Sequence, residues 1–480
     1  MICLVLTGKT IEENLEQFRR NRPYISLLEL RVDLLDPEYR GMAVDFPKQV
    51  DLPVILTCRR KSDGGTYSET ERHRFTLLDE IAKGTFAYID LEEDVKRPQF
   101  EQELTERGIR IIRSLHDFKG IPSDIYHRVA RIAAKGEIPK MAVTPNSILD
   151  LITLFRMEQE LEAVKEKIIV GMGDFGVPTR ILYRRVGSML TFCADNPTAP
   201  GQISAKLMKE LFRADTIDKR TRIFGVIGNP VLHSFSPQIQ NPGFKGINFN
   251  AVYVPFLVDS VRSFFILAET LQITGFSVTV PHKQAVLPYL GKITREVKQI
   301  GSCNTVIRAK NLWMGTNTDY YGFIEPLISE IDSGVLQTAL VIGAGGAARS
   351  VVWALRNHGV KVTIVNRDLD RARKLAEETM SSYDSLDRAD RYEGMDLVVQ
   401  TTSVGMVPDI EGDPIPSYHF SGKEIAYDLV YKPHLTRFLT RAQASGCRLQ
   451  FGIDMLLRQG KMQFESFTGY HYPKRVETYS

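Results

Sequence analysis

The sequence predicts an α/β protein in two parts: an N-terminal (β/α)8 barrel, then a two-lobed α/β unit whose second lobe is doubly wound and binds a nucleotide. Three observations lead there. Through the first two hundred residues, short runs rich in Val, Ile and Leu recur roughly every 20–30 residues, with amphipathic or charged segments between them. After ADTIDKRTR the alternation restarts at IFGVIGNP, a strand entering a Gly-Asn-Pro turn. A third stretch, TALVIGAGGAARSVVWALRNHGVKVTIVNR, reads as a strand, a glycine-rich turn, a helix and another strand.

The eight runs of the first part begin at Ile2, Ile25, Pro53, Phe86, Ile109, Pro139, Lys167 and Met189. Segments Glu12–Arg20, Ser123–Ala134 and Ser147–Ala163 carry helical spacing, with Ser123 and Ser147 as expected N-caps. Eight strands alternating with helices suggest a closed barrel ending near residue 215. The expected domains are therefore 1–216 for the barrel, 221–330 for a substrate lobe and 331–480 for the nucleotide lobe, with the C-terminal segment returning to the substrate lobe. FNAVYVPF and GFSVTVPHK read as strands of the substrate lobe. Residues 381–391 read as a polar loop or helix, and TGYHYPKRVETYS carries no assignable signal.

At 480 residues, 43% hydrophobic and 25% charged, the chain is long enough for two or three domains and too apolar for disorder. Lys and Arg number 61 against 58 Asp and Glu, which gives no reason to expect a nucleic-acid partner. No apolar run approaches the roughly 20 residues of a membrane span, and MICLVLTGKT reads as a strand and not a signal or transit peptide. A cytoplasmic protein acting on small molecules is expected. Cys3, Cys58, Cys193, Cys303 and Cys447 lie far apart without a C-x-x-C pair, and the nine histidines show no H-E-x-x-H spacing. Neither a disulfide framework nor a metal is expected.

The turn after TALVI comprises Gly343, Ala344, Gly345, Gly346 and Ala347. Gly343 permits the tight turn, Gly345 admits a pyrophosphate close to the backbone, and Ala348 is small enough for helix–strand packing. The N–H groups at the helix start then face the phosphates. At the end of the next strand, where an NAD site carries an acid for the ribose 2′-hydroxyl, stand Asn366, Arg367 and, one turn on, Arg371. A guanidinium there suits a 2′-phosphate, so NADP is expected over NAD, with Asp368 pulling the other way. The plainer alternative is a glycine turn that binds nothing.

In a barrel, functional groups sit at the C-terminal ends of strands. Glu29 and Arg31 alternate along one strand and point the same way, and Arg59, Asp90, His116 and Lys140 lie in or just after others. Lys140, inward among the apolar residues of PKMAV, is expected to favour the neutral amine and to form a Schiff base with a ketone. Alone it would read as a strand-edge surface charge. His116 suits proton transfer, and Arg31, Arg59 and Arg180 suit a carboxylate, although each arginine alone reads equally as a solvated loop charge. In the second part, Ser234 and Ser236 flank Phe235 and, if extended, put two hydroxyls on one face. Lys283 follows the strand SVTVP and Asp319 sits in NTDYYG. A lysine and a carboxylate converging beside a nicotinamide are the pair expected for ketone reduction. Spacing alone gives two unrelated surface groups.

Taken together, these residues resemble known families over nearly the whole chain. LELRVD, ILTCRR followed by Gly64 and Gly65, SLHDF, IPKMAV and TAPGQIS resemble, in order, the landmarks of type I 3-dehydroquinate dehydratase. The resemblance implies Lys140 as the Schiff-base lysine, His116 as general acid/base, and Glu29, Arg31, Arg59, Arg180, Thr198 and Gln202 as substrate-binding residues. Asp63 stands where many members have Glu beside the histidine, and Thr198 where some have Ser. From Ile223 onward, HSFSP, GFSVTVPHK, GSCNTV, NTDYYG, GAGGAAR, TTSVGM, DLVYKPHLT and GIDMLLRQG resemble shikimate dehydrogenase. This implies Ser234 and Ser236 on a carboxylate, Thr279, Asn304, Tyr431 and Gln459 on ring hydroxyls, Lys283 with Asp319 as the catalytic pair, and Thr402, Ser403 and Met406 beside a nicotinamide in a Rossmann lobe. Ser277, Gln240 and Asp368 replace the usual Asn, His and Thr.

The order of the two segments resembles the fused bifunctional dehydratase–dehydrogenase, here a cytoplasmic form. It implies dehydration of 3-dehydroquinate to 3-dehydroshikimate and NADPH-dependent reduction to shikimate. Two alternatives stand beside it: a quinate/shikimate dehydrogenase using NAD, which Arg367 and the paired serines oppose, and a catalytically degenerate metabolite sensor, which retention of Lys140, His116, Lys283 and Asp319 opposes.

Overall fold

The computed structural model describes residues 1–195 and 201–474. The first eight strands, β1 (Ile2–Leu6), β2 (Leu27–Arg31), β3 (Val54–Thr57), β4 (Tyr88–Glu92), β5 (Arg110–Asp117), β6 (Ile138–Val143), β7 (Ile168–Gly171) and β8 (Thr191–Ala194), fall on the eight predicted runs. They form one parallel sheet in the order β7-β6-β5-β4-β3-β2-β1-β8. The sheet curls into a near-closed barrel. Its open seam lies between β7 and β8, where the Met189 N–H donates to the Lys167 carbonyl at 2.9 Å.

The pleat divides the barrel interior into layers. Leu27, Ile55, Ile112 and Ile138 pack with Tyr88 in an apolar cluster. Two residues further along the same strands, hence on the same face, stand Glu29, Thr57, Ser114, Lys140 and Asp90. Each of these five strands, β2 to β6, thus contributes an apolar floor residue and then a polar residue nearer its C-terminal end, where barrels carry their chemistry.

The outer helices are set by their caps. Helix Ile11–Asn21 starts at Thr10, whose hydroxyl accepts from Glu13 N, and has Glu12 and Glu13 in its first turn and Arg19 and Arg20 in its last. Charges so placed oppose the helix dipole. Ser147 caps Ile148–Glu160 as expected, accepting from Asp150 N. Ser123 does not cap its helix. That helix runs Ile125–Ala133 from Asp124, whose side chain makes no cap bond and pairs with Arg128 at 2.9 Å instead.

The chain divides into two compact units: Met1–Val226 with Pro230–Pro237 and Asn248–Ile273, and Ile227–Asn229 with Gln238–Ile247 and Thr274–Ser480. The first unit holds the barrel together with most of β9 (Arg222–Gly228), the neighbouring β10 (Ala251–Leu257) and helix Val261–Leu271. That helix packs on Ile148–Glu160, and Asp259 accepts the Ile148 N–H at 3.1 Å.

In the second unit, β11 (Ile273–Val278), β13 (Thr305–Ala309), β14 (Leu312–Thr316) and β12 (Lys292–Ile293) lie side by side in that order. A separate parallel sheet follows the Rossmann pattern. It contains β15 (Thr338–Ile342), β16 (Lys361–Asn366), β17 (Ser382–Ser385), β18 (Leu397–Gln400), β19 (Ile425–Asp428) and β20 (Arg448–Phe451) in the order β17-β16-β15-β18-β19-β20. Val341, Ile364 and Val399 on one face pack with Val351 and Leu355 of helix Gly346–Asn357, all fully buried. Residues 381–391, expected as loop or helix, supply edge strand β17 and then a 3-10 helix, Leu386–Tyr392, so the strand alone departs from the expectation. An edge strand with exposed faces keeps no apolar alternation, so periodicity misses it. Helix Gly452–Thr468 lies against helix Asp319–Ile324, and Tyr472 donates to the Ile239 carbonyl at 2.8 Å.

Candidate active sites

The polar layer of the barrel is a buried charge network. Lys140 Nζ lies 2.7 Å from Asp90 Oδ2 and 3.5 Å from Glu29 Oε1, and 4.3 Å above the Phe192 ring. Its surroundings are therefore not apolar alone, as the sequence of its own strand suggested. The carboxylates come from neighbouring strands. Arg59 contacts Asp90 at 2.8 Å, Glu92 at 3.4 Å and Ser114 at 2.8 Å, while Arg74, fully buried, takes the other Glu92 oxygen at 2.9 Å. Burial alone would raise the Asp90 pKa, but Arg59 and Lys140 hold it well below the usual carboxylate range.

Arg31 forms a two-bond fork with Asp33, both at 2.8 Å, and Asp33 also accepts the Arg59 N–H at 3.1 Å. Arg180 differs from these arginines. It is buried and has no carboxylate partner among the described residues, donating to the Gly171 carbonyl at 3.1 Å and the Phe192 carbonyl at 3.5 Å across the barrel seam. Burial pushes its pKa down to about 10. A desolvated guanidinium with spare donors is suited to an incoming anion.

His116 stacks on Phe118 with ring centroids 6.4 Å apart, and its Nδ1 is buried without a hydrogen-bond partner among the described residues. Burial, then Arg59 and Lys140, push its pKa well below the usual imidazole range. The neutral ring is a proton acceptor. Asp63 does not orient it: the Asp63 carboxylate takes Arg60 at 2.6 Å and Ser62 at 2.7 Å on its own loop. Gln202 is half-buried, and Thr198 lies outside the described residues.

Ser234 and Ser236, in the first unit, are not in a strand. Ser236 opens helix Ser236–Gly246, and its N–H and hydroxyl both meet Ser234 Oγ, at 3.3 and 3.2 Å. The two hydroxyls are nonetheless adjacent, as expected.

In the second unit, Lys283 Nζ stands 2.5 Å from Asp319 Oδ2. Asn304 fixes the acid from the other side. Its Oδ1 accepts the Thr318 N–H at 2.8 Å, and its Nδ2 donates to Asp319 Oδ1 at 2.8 Å and to Gln459 Oε1 at 3.4 Å. Ser277 donates to Gln463 at 2.7 Å, and Gln463 donates to the Asn304 carbonyl at 3.2 Å. The Ser277 departure therefore sits behind Asn304. Gln240, at the other departure, donates to the Gly460 carbonyl at 2.8 Å. Half-buried Thr279 donates its N–H to the Ile227 carbonyl at 2.9 Å.

The glycine turn fits a dinucleotide. Gly343 has φ +112°, and a Cβ there would meet Thr401 Oγ1 at 2.5 Å, so glycine is required. At Gly345 a Cβ would meet nothing within 4 Å, leaving the backbone open for a phosphate, and Gly346 lies against the stem of Lys283. Arg367 and Arg371 are exposed at the end of β16. Asp368 is occupied as the N-cap of helix Leu369–Thr379, accepting from Arg371 N, and Asn366 donates to the Asp368 carbonyl at 2.7 Å. Thr402 donates through N–H and hydroxyl to Gln400 Oε1, at 2.9 and 3.0 Å, while Ser403 and Met406 are exposed.

Comparisons with known proteins give the family. Residues 2–219 match the type I 3-dehydroquinase family, residues 226–306 the shikimate dehydrogenase substrate binding domain, and residues 329–407 the shikimate/quinate 5-dehydrogenase family. The chain is 32% identical over 504 residues to the chloroplastic bifunctional 3-dehydroquinate dehydratase/shikimate dehydrogenase of Arabidopsis thaliana, covering 99% of this chain and 83% of that one. The chain belongs to this bifunctional family. Its second part is 38% identical to the shikimate dehydrogenase (NADP(+)) of Caldanaerobacter subterraneus, over 54% of this chain and 95% of that protein. It also resembles the crystal structure of shikimate dehydrogenase from Aquifex aeolicus, with TM-score 0.50 and 35% identity over 54% of this chain and 97% of that one.

Both candidate sites contain residues that reading the sequence did not select. Asp33, Glu92 and Ser114 hold the dehydratase arginines, and Gln463 backs Asn304 in the reductase. Glu92 follows Asp90 by two in YIDLE, so their shared face was the available signal.

Proposed function

We propose that the barrel dehydrates 3-dehydroquinate through an imine on Lys140, and that the second part reduces the resulting 3-dehydroshikimate to shikimate. The observation that carries this reading is the pairing of a buried lysine, held by Asp90 and Glu29, with a neutral histidine on the adjacent strand. Lys140 Nζ bonds to the ketone carbon, and the ketone oxygen leaves as water. The cationic imine acidifies the neighbouring C–H, and His116 takes that proton. The freed electron pair forms the ring C=C as the hydroxyl on the next carbon departs, taking a proton from His116 as water. A second water hydrolyses the imine and frees Lys140. Arg180, with its spare donors, binds the substrate carboxylate, and Arg31, Arg59, Glu29, Thr198 and Gln202 complete the contacts.

In the reductase, Ser234 and Ser236 bind the carboxylate and Thr279, Asn304, Tyr431 and Gln459 the ring. Lys283 gives its proton to the carbonyl oxygen, and Asp319 at 2.5 Å keeps that proton in place. The cofactor is NADP(H), which supplies the hydride when bound. Gly343 to Ala347 hold its pyrophosphate, Asn366, Arg367 and Arg371 its 2′-phosphate, and Thr402, Ser403 and Met406 its nicotinamide. The expected domain limits, 1–216, 221–330 and 331–480, remain our reading of the chain. A cytoplasmic setting is supported by five free, buried cysteines. No helix among the described residues is long and apolar enough to cross a membrane.

NADP is preferred over NAD because Arg367 directly follows β16 and Arg371 lies in the next helix, while Asp368 is engaged as that helix's cap and by Arg371 Nε at 3.2 Å. Changing Arg367 to Ala is expected to weaken NADPH binding roughly 10-fold or more, the equivalent of one charged hydrogen bond of about 1.5 kcal/mol or above. NADH binding should change less than about twofold. Titration of both cofactors by fluorescence tests this, and equal losses would overturn the assignment.

A further inference from the structure

Asp428 ends β19, is fully buried, and lies opposite Gln400 at the end of β18. Both oxygens of its carboxylate are used. Oδ1 accepts the Val430 N–H at 2.9 Å and Oδ2 the Thr436 hydroxyl at 2.6 Å. These bonds reach Val430 and Thr436, and Tyr431 lies on the segment between them. Thr436 is itself fixed as the N-cap of helix Arg437–Ala444, accepting from Leu439 N. Gln400 does the matching work on the next loop. Its Oε1 accepts from Thr402 N and Oγ1, its Nε2 donates to the Val404 carbonyl at 3.0 Å, and its carbonyl accepts the Leu429 N–H at 2.9 Å. The two loops are tied to each other by Val407 N–H donating to the Lys432 carbonyl at 3.2 Å.

We propose that Asp428 is a positioning residue for the reductase, its carboxylate clamping the loop that presents Tyr431 to the ring substrate. The proposal rests on the reading of Tyr431 as a substrate contact given above. A clamp of this kind contributes nothing to the chemistry itself and acts through where Tyr431 stands. Burial outweighs the two hydrogen bonds and lifts the Asp428 pKa to about 7, and Asp428→Asn keeps the shape of the side chain. What it removes is an acceptor, since an amide nitrogen cannot accept the Thr436 hydroxyl.

The test is steady-state reduction of 3-dehydroshikimate by NADPH in full-length Tyr431→Phe, Asp428→Asn and the double variant, with 3-dehydroquinate dehydration in the same samples as the fold control. Asp428→Asn is expected to raise KM for 3-dehydroshikimate about tenfold, with kcat changed less than about threefold and dehydration unaltered. Added to Tyr431→Phe it should cost less than about twofold more, because coupled residues are not additive. Additive effects, or an unchanged KM in Asp428→Asn, would overturn the clamp while leaving Tyr431 its role. An unchanged KM in Tyr431→Phe would instead remove the substrate contact and the clamp with it. If Asp428→Asn does not fold, Thr436→Val breaks the same bond from the other side and carries the same expectations.

Discussion

Replacing Lys140 with alanine is expected to lower dehydration of 3-dehydroquinate on the order of 10⁴–10⁶-fold, the range seen when the nucleophile of a covalent mechanism is removed. The loss is one of chemistry and not of fold. With Lys140 gone, Asp90 keeps Arg59 at 2.8 Å and the Ser114 hydroxyl at 2.6 Å, and Glu29 keeps the Thr57 hydroxyl at 2.9 Å. No buried carboxylate is left without a partner, which is the usual reason for collapse after deletion of a buried cation. Reduction of 3-dehydroshikimate by the same preparation should be unchanged. Borohydride added during turnover should fix substrate covalently to the wild-type chain and leave the Lys140→Ala chain at its own mass. A labelled Lys140→Ala protein would refute the imine at this position.

Replacing Lys283 with alanine is expected to cost about 10²–10⁴-fold in kcat for reduction, the magnitude of a positioned general acid. Asp319 retains its bond from Asn304 at 2.8 Å, so the acid stays where it is while the proton source is lost. Dehydration should be unaffected, and NADPH should still bind, because Gly346 of the glycine turn faces the stem of Lys283 and the Ser302 hydroxyl. If kcat falls less than about tenfold, the proton comes from elsewhere and the Lys283–Asp319 pair has another purpose.

The barrel was legible because all eight strands are buried on both faces and stand out as apolar runs. Edge strand β17, exposed and polar, was not, and neither was the absence of a cap at Ser123, where Asp124 pairs with Arg128 instead. For the candidate sites, residue types and motifs selected the candidate groups but not their neighbours. Lys140 looks apolar along its own strand because its carboxylates, Asp90 and Glu29, come from β4 and β2. Asp63 falls at the position the resemblance predicts, yet its shorter side chain bonds to Arg60 and Ser62. Asp428 opens DLVYKPHLT and Gln400 directly precedes TTSVGM, but neither motif says that the two residues lie side by side. Their positions follow only from the register of β18 against β19.

The central claim is that one chain holds two consecutive active sites. It is tested most directly by giving the purified protein NADPH and 3-dehydroquinate as the sole carbon substrate and following NADPH oxidation by absorbance. The account predicts steady consumption that stops in both Lys140→Ala and Lys283→Ala and returns in Lys140→Ala when 3-dehydroshikimate is supplied. Failure of the wild-type protein to oxidise NADPH with either substrate would contradict it.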